Sequence, residues 1–105
     1  MGRINNRSSR TLWVVETDSG PAVAHLLAPG RRSPPGVDAD GFKAVDGTAV
    51  NGHRSWVKVT DWSTADVRDA RNGTLDRGCW LCRDVPESQF GAVDYRVDSG
   101  WGRSL

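Results

Sequence analysis

No apolar run in the sequence approaches the ~20 residues that a membrane-spanning helix requires, and the opening residues, MGRINNRSSR, lack the apolar centre of a signal peptide. A soluble chain without an export signal of the ordinary kind is expected. A mature fragment with an added Met, or an effector delivered by a specialised machine, would carry the same signature, so localisation stays open. An excess of one charge is lacking as well. The 14 basic and 13 acidic residues leave a net charge of +1, which supplies no long-range field to draw in nucleic acid or anionic lipid. Nucleic acid is therefore disfavoured as a partner. Lysine is scarce, with Lys43 and Lys58 the only two; the remaining basic residues are arginines, whose planar fork makes bidentate contacts that lysine cannot. Repeats of constant period, low-complexity stretches and the G-x-S-x-G elbow that would expose a nucleophile are all absent.

The hydrophobic fraction is a low 37% and glycine is abundant at 12, but five tryptophans can each bury a large area and offset the shortage of Leu and Ile. A chain of 105 residues fits a single small β domain over 1–105, fraying at its termini and beyond Trp101 in particular.

The stretch TLWVVETDSGPAVAHLL, Thr11 to Leu27, reads as two strands joined by a tight turn at Asp18-Ser19-Gly20. Leu12 and Val14 point one way and Trp13 and Val15 the other, so this strand is apolar on both faces. Ile4 to Ser9 suggests a short edge strand. Ala28 to Gly36 is a Pro/Gly loop carrying Arg31-Arg32. Asp40-Gly41, Asp46-Gly47 and Asn51-Gly52 set a rhythm of short strands and turns, with Phe42 to Val45 and Thr48 to Val50 as the strands between. His53 to Trp62 reads as a second strong strand, its Val57 and Val59 turned inward and Trp56, Lys58, Thr60 and Trp62 on the other face.

Ser63-Thr64-Ala65-Asp66 matches a helix-capping pattern and Asn72-Gly73 a helix stop, which predicts one short helix near residues 64–71. Val93, Tyr95 and Val97 alternate with polar residues as a half-buried strand. The fold class that follows is all-β or mainly β: a small antiparallel sandwich or partly open barrel of about six to eight short strands with that one helix.

Several residue groups carry chemistry. Trp13, Trp56 and Trp62 with Lys58, and Tyr95 as a further member, form a candidate aromatic surface that would stack on a sugar, grip a lipid headgroup or anchor a protein; core filling is the competing reading. Arg31 and Arg32 are candidates for a local bidentate contact. Asp38, Asp40 and Asp46 offer oxygen ligands to calcium, although the ligand series of an EF-hand is missing and turn-forming aspartates explain the same residues. Cys79 and Cys82 form a C-x-x-C motif with three readings: a redox pair, which lacks the usual βαβ setting; half of a zinc site completed by His25 and His53; or two structural thiols. A hydrolytic site would draw on His53 with Asp61 or Asp46 and Ser55.

Together these features favour a non-catalytic binding module with a protein or glycan partner and no cofactor. The competing class is a small enzyme or toxin-like effector, acting as a thiol redox protein through Cys79 and Cys82 or as a hydrolase through His53.

Overall fold

A computed structural model describes residues 1–16, 22–86 and the backbone of 93–95. Among the described residues the chain forms nine strands: β1 (Arg3–Asn6), β2 (Leu12–Glu16), β3 (Ala22–Leu27), β4 (Ala39–Ala44), β5 (Val57–Lys58), β6 (Thr64–Asp69), β7 (Leu75–Arg77), β8 (Arg83–Asp84) and β9 (Val93–Tyr95). They make a three-stranded sheet in the order β1-β6-β7 and a six-stranded sheet in the order β8-β5-β4-β2-β3-β9. The result is a small all-β sandwich. It is not wholly antiparallel, because β1 pairs with β6 and β3 with β9 in parallel. No helix among the described residues is long and apolar enough to cross a membrane.

The organising strand is β2. Its flanks pair antiparallel with β3 and β4, and Leu12, Trp13, Val14 and Val15 are all buried. Both faces are covered, as two apolar faces demand. Leu12 and Val14 enter the main core with Phe42 and Val57 of the same sheet and Ile4, Ala65, Val67 and Leu75 of the opposite one. Trp13 and Val15 enter a second cluster with Ala22, Ala24 and Trp56. Full burial of each large side chain stabilises the fold by about 1.5–3 kcal/mol, so the two clusters fix which face of each strand turns inward. The turn expected at Asp18-Ser19-Gly20 lies outside the described residues, as do Val97 and Trp101; the register from Leu12–Leu27 to Glu16–Val23 nevertheless makes β2 and β3 a hairpin.

Three expectations are corrected. Residues 64–71 hold no helix: Thr64–Asp69 is strand β6, placed between β1 and β7. Ala65 and Val67 are buried while Thr64 and Arg68 are exposed, which is the two-residue alternation of a strand. Ser63 does not cap free N–H groups; its hydroxyl contacts the Thr60 carbonyl and hydroxyl. Asn72-Gly73, read as a helix stop, lies in the β6–β7 turn, with Gly73 at a φ of 77°. The ribbon His53–Trp62 is a strand only at Val57–Lys58; Val57 and Val59 do point inward, but Trp62 sits on a turn. Asp40-Gly41 is not a turn either. Both residues lie within β4, whose six residues are all buried between β2 and β5.

Asn51-Gly52 forms the two-residue turn its composition demands, with φ of 51° and 84° at the two positions and Val50 and His53 exchanging backbone hydrogen bonds of 2.7 and 3.0 Å.

Candidate functional site

The structure divides the expected aromatic surface. Trp13 and Trp56 are core residues of one cluster, and the Lys43 ammonium lies 4.9 Å from the centroid of the Trp56 ring. Lys58 is half-buried on β5. Trp62 is 89% exposed, and Trp80, which stands between the two cysteines, is 88% exposed. Trp62 also adopts a φ of 67°, a left-handed conformation that costs a residue with a Cβ about 1–2 kcal/mol.

Arg31 and Arg32 belong to a groove built along β1. Residues Arg3 and Asn5 of β1 stand in parallel register with Thr64 and Asp66 of β6, while Ile4 and Asn6 turn inward. On the other side the loop lies along β1 in an antiparallel bridge, Asn5 to Arg32. Asn6 N–H donates to the Arg31 carbonyl at 2.8 Å, and Gly30 and Ser33 N–H donate to the Asn6 and Ile4 carbonyls at 2.7 Å each. The buried Ser33 hydroxyl accepts from Ile4 N–H at 2.9 Å. This lacing holds Arg31 and Arg32 beside the outward face of β1.

Three shallow cavities follow one another along that face, of about 300, 250 and 260 Å³. The first two share Asn5 and Arg32, and the last two share Arg3 and Thr64, so they form a continuous groove from Arg7 and Arg31 to Trp62. Two of the lining residues are engaged by Asp66, which accepts from Asn5 at 2.8 Å and pairs with Arg7 at 3.3 Å, and with Arg68 at 3.9 Å. The Asn5 hydrogen bond, aided by the two arginines and opposed by desolvation, holds the Asp66 carboxyl below the ordinary carboxylate range. Among the described residues no carboxylate pairs with Arg3, Arg31 or Arg32. Arg3, Asn5, Arg7 and Thr64 escape sequence reasoning because only the β1–β6 pairing gathers them.

Of the carboxylates considered for calcium, Asp38 and Asp40 do come together, but with Asp61 in place of Asp46; their oxygens lie within 4.8 Å of one another, and Asp38 accepts from Gly2 N–H at 2.7 Å. Asp46 sits elsewhere, paired with Arg10 at 3.3 Å and accepting from Thr48 N–H at 2.9 Å. Burial opposes its ionisation, but Thr48 and Arg10 outweigh that and keep its carboxyl low.

Cys79 and Cys82 are both free and buried. They close a turn in which Cys82 N–H donates to the Cys79 carbonyl at 3.2 Å. Burial works against a thiolate at Cys79, yet the Cys82 thiol, the Ser63 side chain and the N–H groups of Leu81 and Cys82 together bring its pKa below the ordinary thiol value. Cys82 moves the other way, pushed up by burial first, then by its hydrogen bond to Cys79 and the Cys79 charge.

Neither histidine joins the pair. His53 lies 3.2 Å from an Asp84 oxygen and makes no hydrogen bond to Ser55, Asp46 or Asp61 among the described residues. The half-buried His25 has an Nε2 atom with no hydrogen-bond partner among the described residues. The zinc and hydrolase constellations are thus not assembled: among the described residues the one group of three ligating side chains is that of Asp38, Asp40 and Asp61.

Comparison of the chain with protein-family models, curated proteins and solved structures gives no match.

Proposed function

We propose that this chain is a non-catalytic binding module whose groove along β1 takes an acidic glycan, a sugar chain bearing carboxylate or sulfate groups. The observation that carries the reading is the run of Arg3, Arg31 and Arg32, without carboxylate partners among the described residues, toward a tryptophan 89% exposed. Arginine forks suit carboxylate or sulfate oxygens, an open indole face suits a sugar ring, and Asn5 and Thr64 supply neutral hydrogen-bonding groups. A peptide fits less well. The backbone of β1 is engaged by β6 on one side and by the 30–33 loop on the other, so no strand can be added there and recognition falls to side chains. The strained φ of Trp62 supports the same reading, since an exposed bulky residue held in the left-handed region brings the fold no stability.

The test is titration with an oligogalacturonate and a sulfated oligosaccharide, followed by tryptophan fluorescence and calorimetry. A neutral oligosaccharide, poly-glutamate and single-stranded DNA serve as comparators. Saturable binding to an acidic glycan that weakens between low and physiological salt is expected. An exposed ion pair is worth about 0.2–1 kcal/mol, so Arg31→Ala with Arg32→Ala should weaken binding about two- to thirtyfold. Absence of binding, or equal binding to poly-glutamate, DNA or the neutral sugar, overturns the proposal.

A further inference from the structure

We propose that Cys79 and Cys82 form a reversible thiol–disulfide site that exchanges with a low-molecular-weight disulfide of the glutathione class, Cys79 attacking and Cys82 resolving. The geometry is that of a four-residue turn closed by a 3.2 Å hydrogen bond from Cys82 N–H to the Cys79 carbonyl. Such a turn holds its end Cα atoms within about 7 Å, which overlaps the 4.4–6.8 Å that a disulfide spans. Both cysteines lie between β7 and β8, outside either sheet, so the bond would close within one turn.

The two sulfurs are not equivalent. Hydrogen bonding from the Cys82 thiol, the Ser63 side chain and the Leu81 and Cys82 N–H groups lowers the Cys79 pKa despite burial, which favours thiolate, the nucleophilic form. Cys82 lies deeper and receives no comparable set of donors. Cys79 also keeps the larger exposed fraction, 6% against 3%, beneath a turn crest formed by the exposed Trp80 and Leu81.

The exchange runs in two displacements. The Cys79 thiolate attacks one sulfur of the disulfide, forming a mixed disulfide and releasing one thiolate, which takes up a proton. Cys82 then loses its proton and attacks the Cys79 sulfur, forming the Cys79–Cys82 bond and releasing the second thiol. Two protein thiols are oxidised and one disulfide is reduced to two thiols, and excess thiol reverses both steps. The turn therefore supplies what the C-x-x-C of a redox protein obtains from a helix N-terminus, without a helix.

The experiment equilibrates the full chain in mixtures of reduced and oxidised glutathione, quenches with acid and reads the products by mass. The wild-type chain should lose two hydrogens in a single transition, Cys82→Ser should accumulate one glutathione on Cys79, and Cys79→Ser should take up glutathione at least about tenfold more slowly. Because either substitution alters a buried contact, a second measurement uses the wild-type chain alone: limiting iodoacetamide, mapped by peptide, should label Cys79 before Cys82. A wild-type chain that stays a dithiol in excess oxidised glutathione, or labelling that is equal or favours Cys82, overturns the proposal.

Discussion

Replacing Asn6 with alanine removes a side chain only 1% exposed whose amide joins three segments. Its Nδ2 donates to the Arg10 carbonyl at 2.8 Å and to the Leu27 carbonyl at 2.9 Å, and its Oδ1 accepts from Ser8 N–H at 3.1 Å and from the Ser8 hydroxyl at 2.6 Å. The amide thereby fastens the end of β1 to the turn before β2 and to the end of β3. Not all four bonds are lost in full, because the Ser8 hydroxyl also reaches the Arg10 carbonyl, at 3.1 Å, and can turn wholly to it. Ser8 N–H has no such substitute, whereas the Leu27 carbonyl keeps its place opposite Leu12 in the β2–β3 ladder. One buried group left unsatisfied at about 1–3 kcal/mol, with about 0.5–1.5 kcal/mol for the lost bond to the Leu27 carbonyl and partial compensation at Arg10, puts the loss at about 3 kcal/mol. For a domain of this size that lowers Tm by about 12–24 °C, out of a total stability of about 5–15 kcal/mol.

Asn6→Asp is the sharper form of the test. An ionised carboxylate would face two carbonyl oxygens, whereas its protonated form still donates to one, so its folded pKa is raised above the unfolded value. The stability of that variant is then greatest below about pH 4, the ordinary carboxylate value, and is lost as pH rises through the higher folded pKa. At neutral pH it should be less stable than the alanine variant. Urea unfolding followed by circular dichroism across pH 3–8 measures both. A loss below about 1 kcal/mol for Asn6→Ala, or an Asn6→Asp stability that does not fall with pH, refutes the reasoning.

Gly78→Ala should lose about 1–3 kcal/mol in urea unfolding, since a Cβ there would stand 2.7 Å from both the Cβ and the carbonyl oxygen of Asp66 and push β7 off β6. Trp62→Gly should leave stability unchanged or raise it by up to about 1.5 kcal/mol, because relief of the left-handed conformation, about 1–2 kcal/mol, matches or exceeds the chain-entropy penalty of glycine, about 0.5–1; the same variant should lose glycan affinity in the fluorescence titration. Asp66 has a lowered folded pKa, so its contribution is present above about pH 4 and lost as pH falls through the folded value. Asp66→Asn should therefore flatten the acid limb of a stability profile taken from pH 5 to 2.

What the sequence conveys here is local, and what it hides is non-local. The doubly apolar β2 and its pairing with β3 were legible because Trp13-Val14-Val15 leaves no polar face. Asn51-Gly52 was legible because few residue pairs accept its backbone. The segment after Ser63 misled for a physical reason: a serine hydroxyl that contacts the carbonyl three residues back, and an Asn-Gly that turns a hairpin, use the same residue types as a helix start and stop. The two-residue alternation of Ala65 and Val67 is short, and it acquires meaning only when β1, whose Ile4 aligns with Ala65, arrives from the far end of the sequence.

The tryptophans follow the same rule. Alternation placed Trp13 and Trp56 each on the second face of its strand, but could not show that the two indoles share one buried cluster and leave Trp62 exposed. Arg31-Arg32 stood out as a pair, while Arg3 becomes part of a site only through the loop that lies along β1.

The groove and the thiol pair are separable although one tripeptide touches both. Trp62 ends the groove, the Ser63 hydroxyl approaches Cys79, and Thr64 opens β6 beside Arg3. Ser63 meets the two sites through different atoms: its carbonyl accepts from Arg3 N–H at 3.0 Å and secures the groove end of β1, while its side chain faces the thiol. Closing the Cys79–Cys82 bond would withdraw a sulfur from that hydroxyl, which keeps the Thr60 carbonyl as a partner. The Ser63 carbonyl bond and the β1–β6 register would remain as they are. Chemistry at the turn and recognition along β1 therefore rest on different hydrogen bonds of one residue, and a variant that abolishes one leaves the geometry of the other in place.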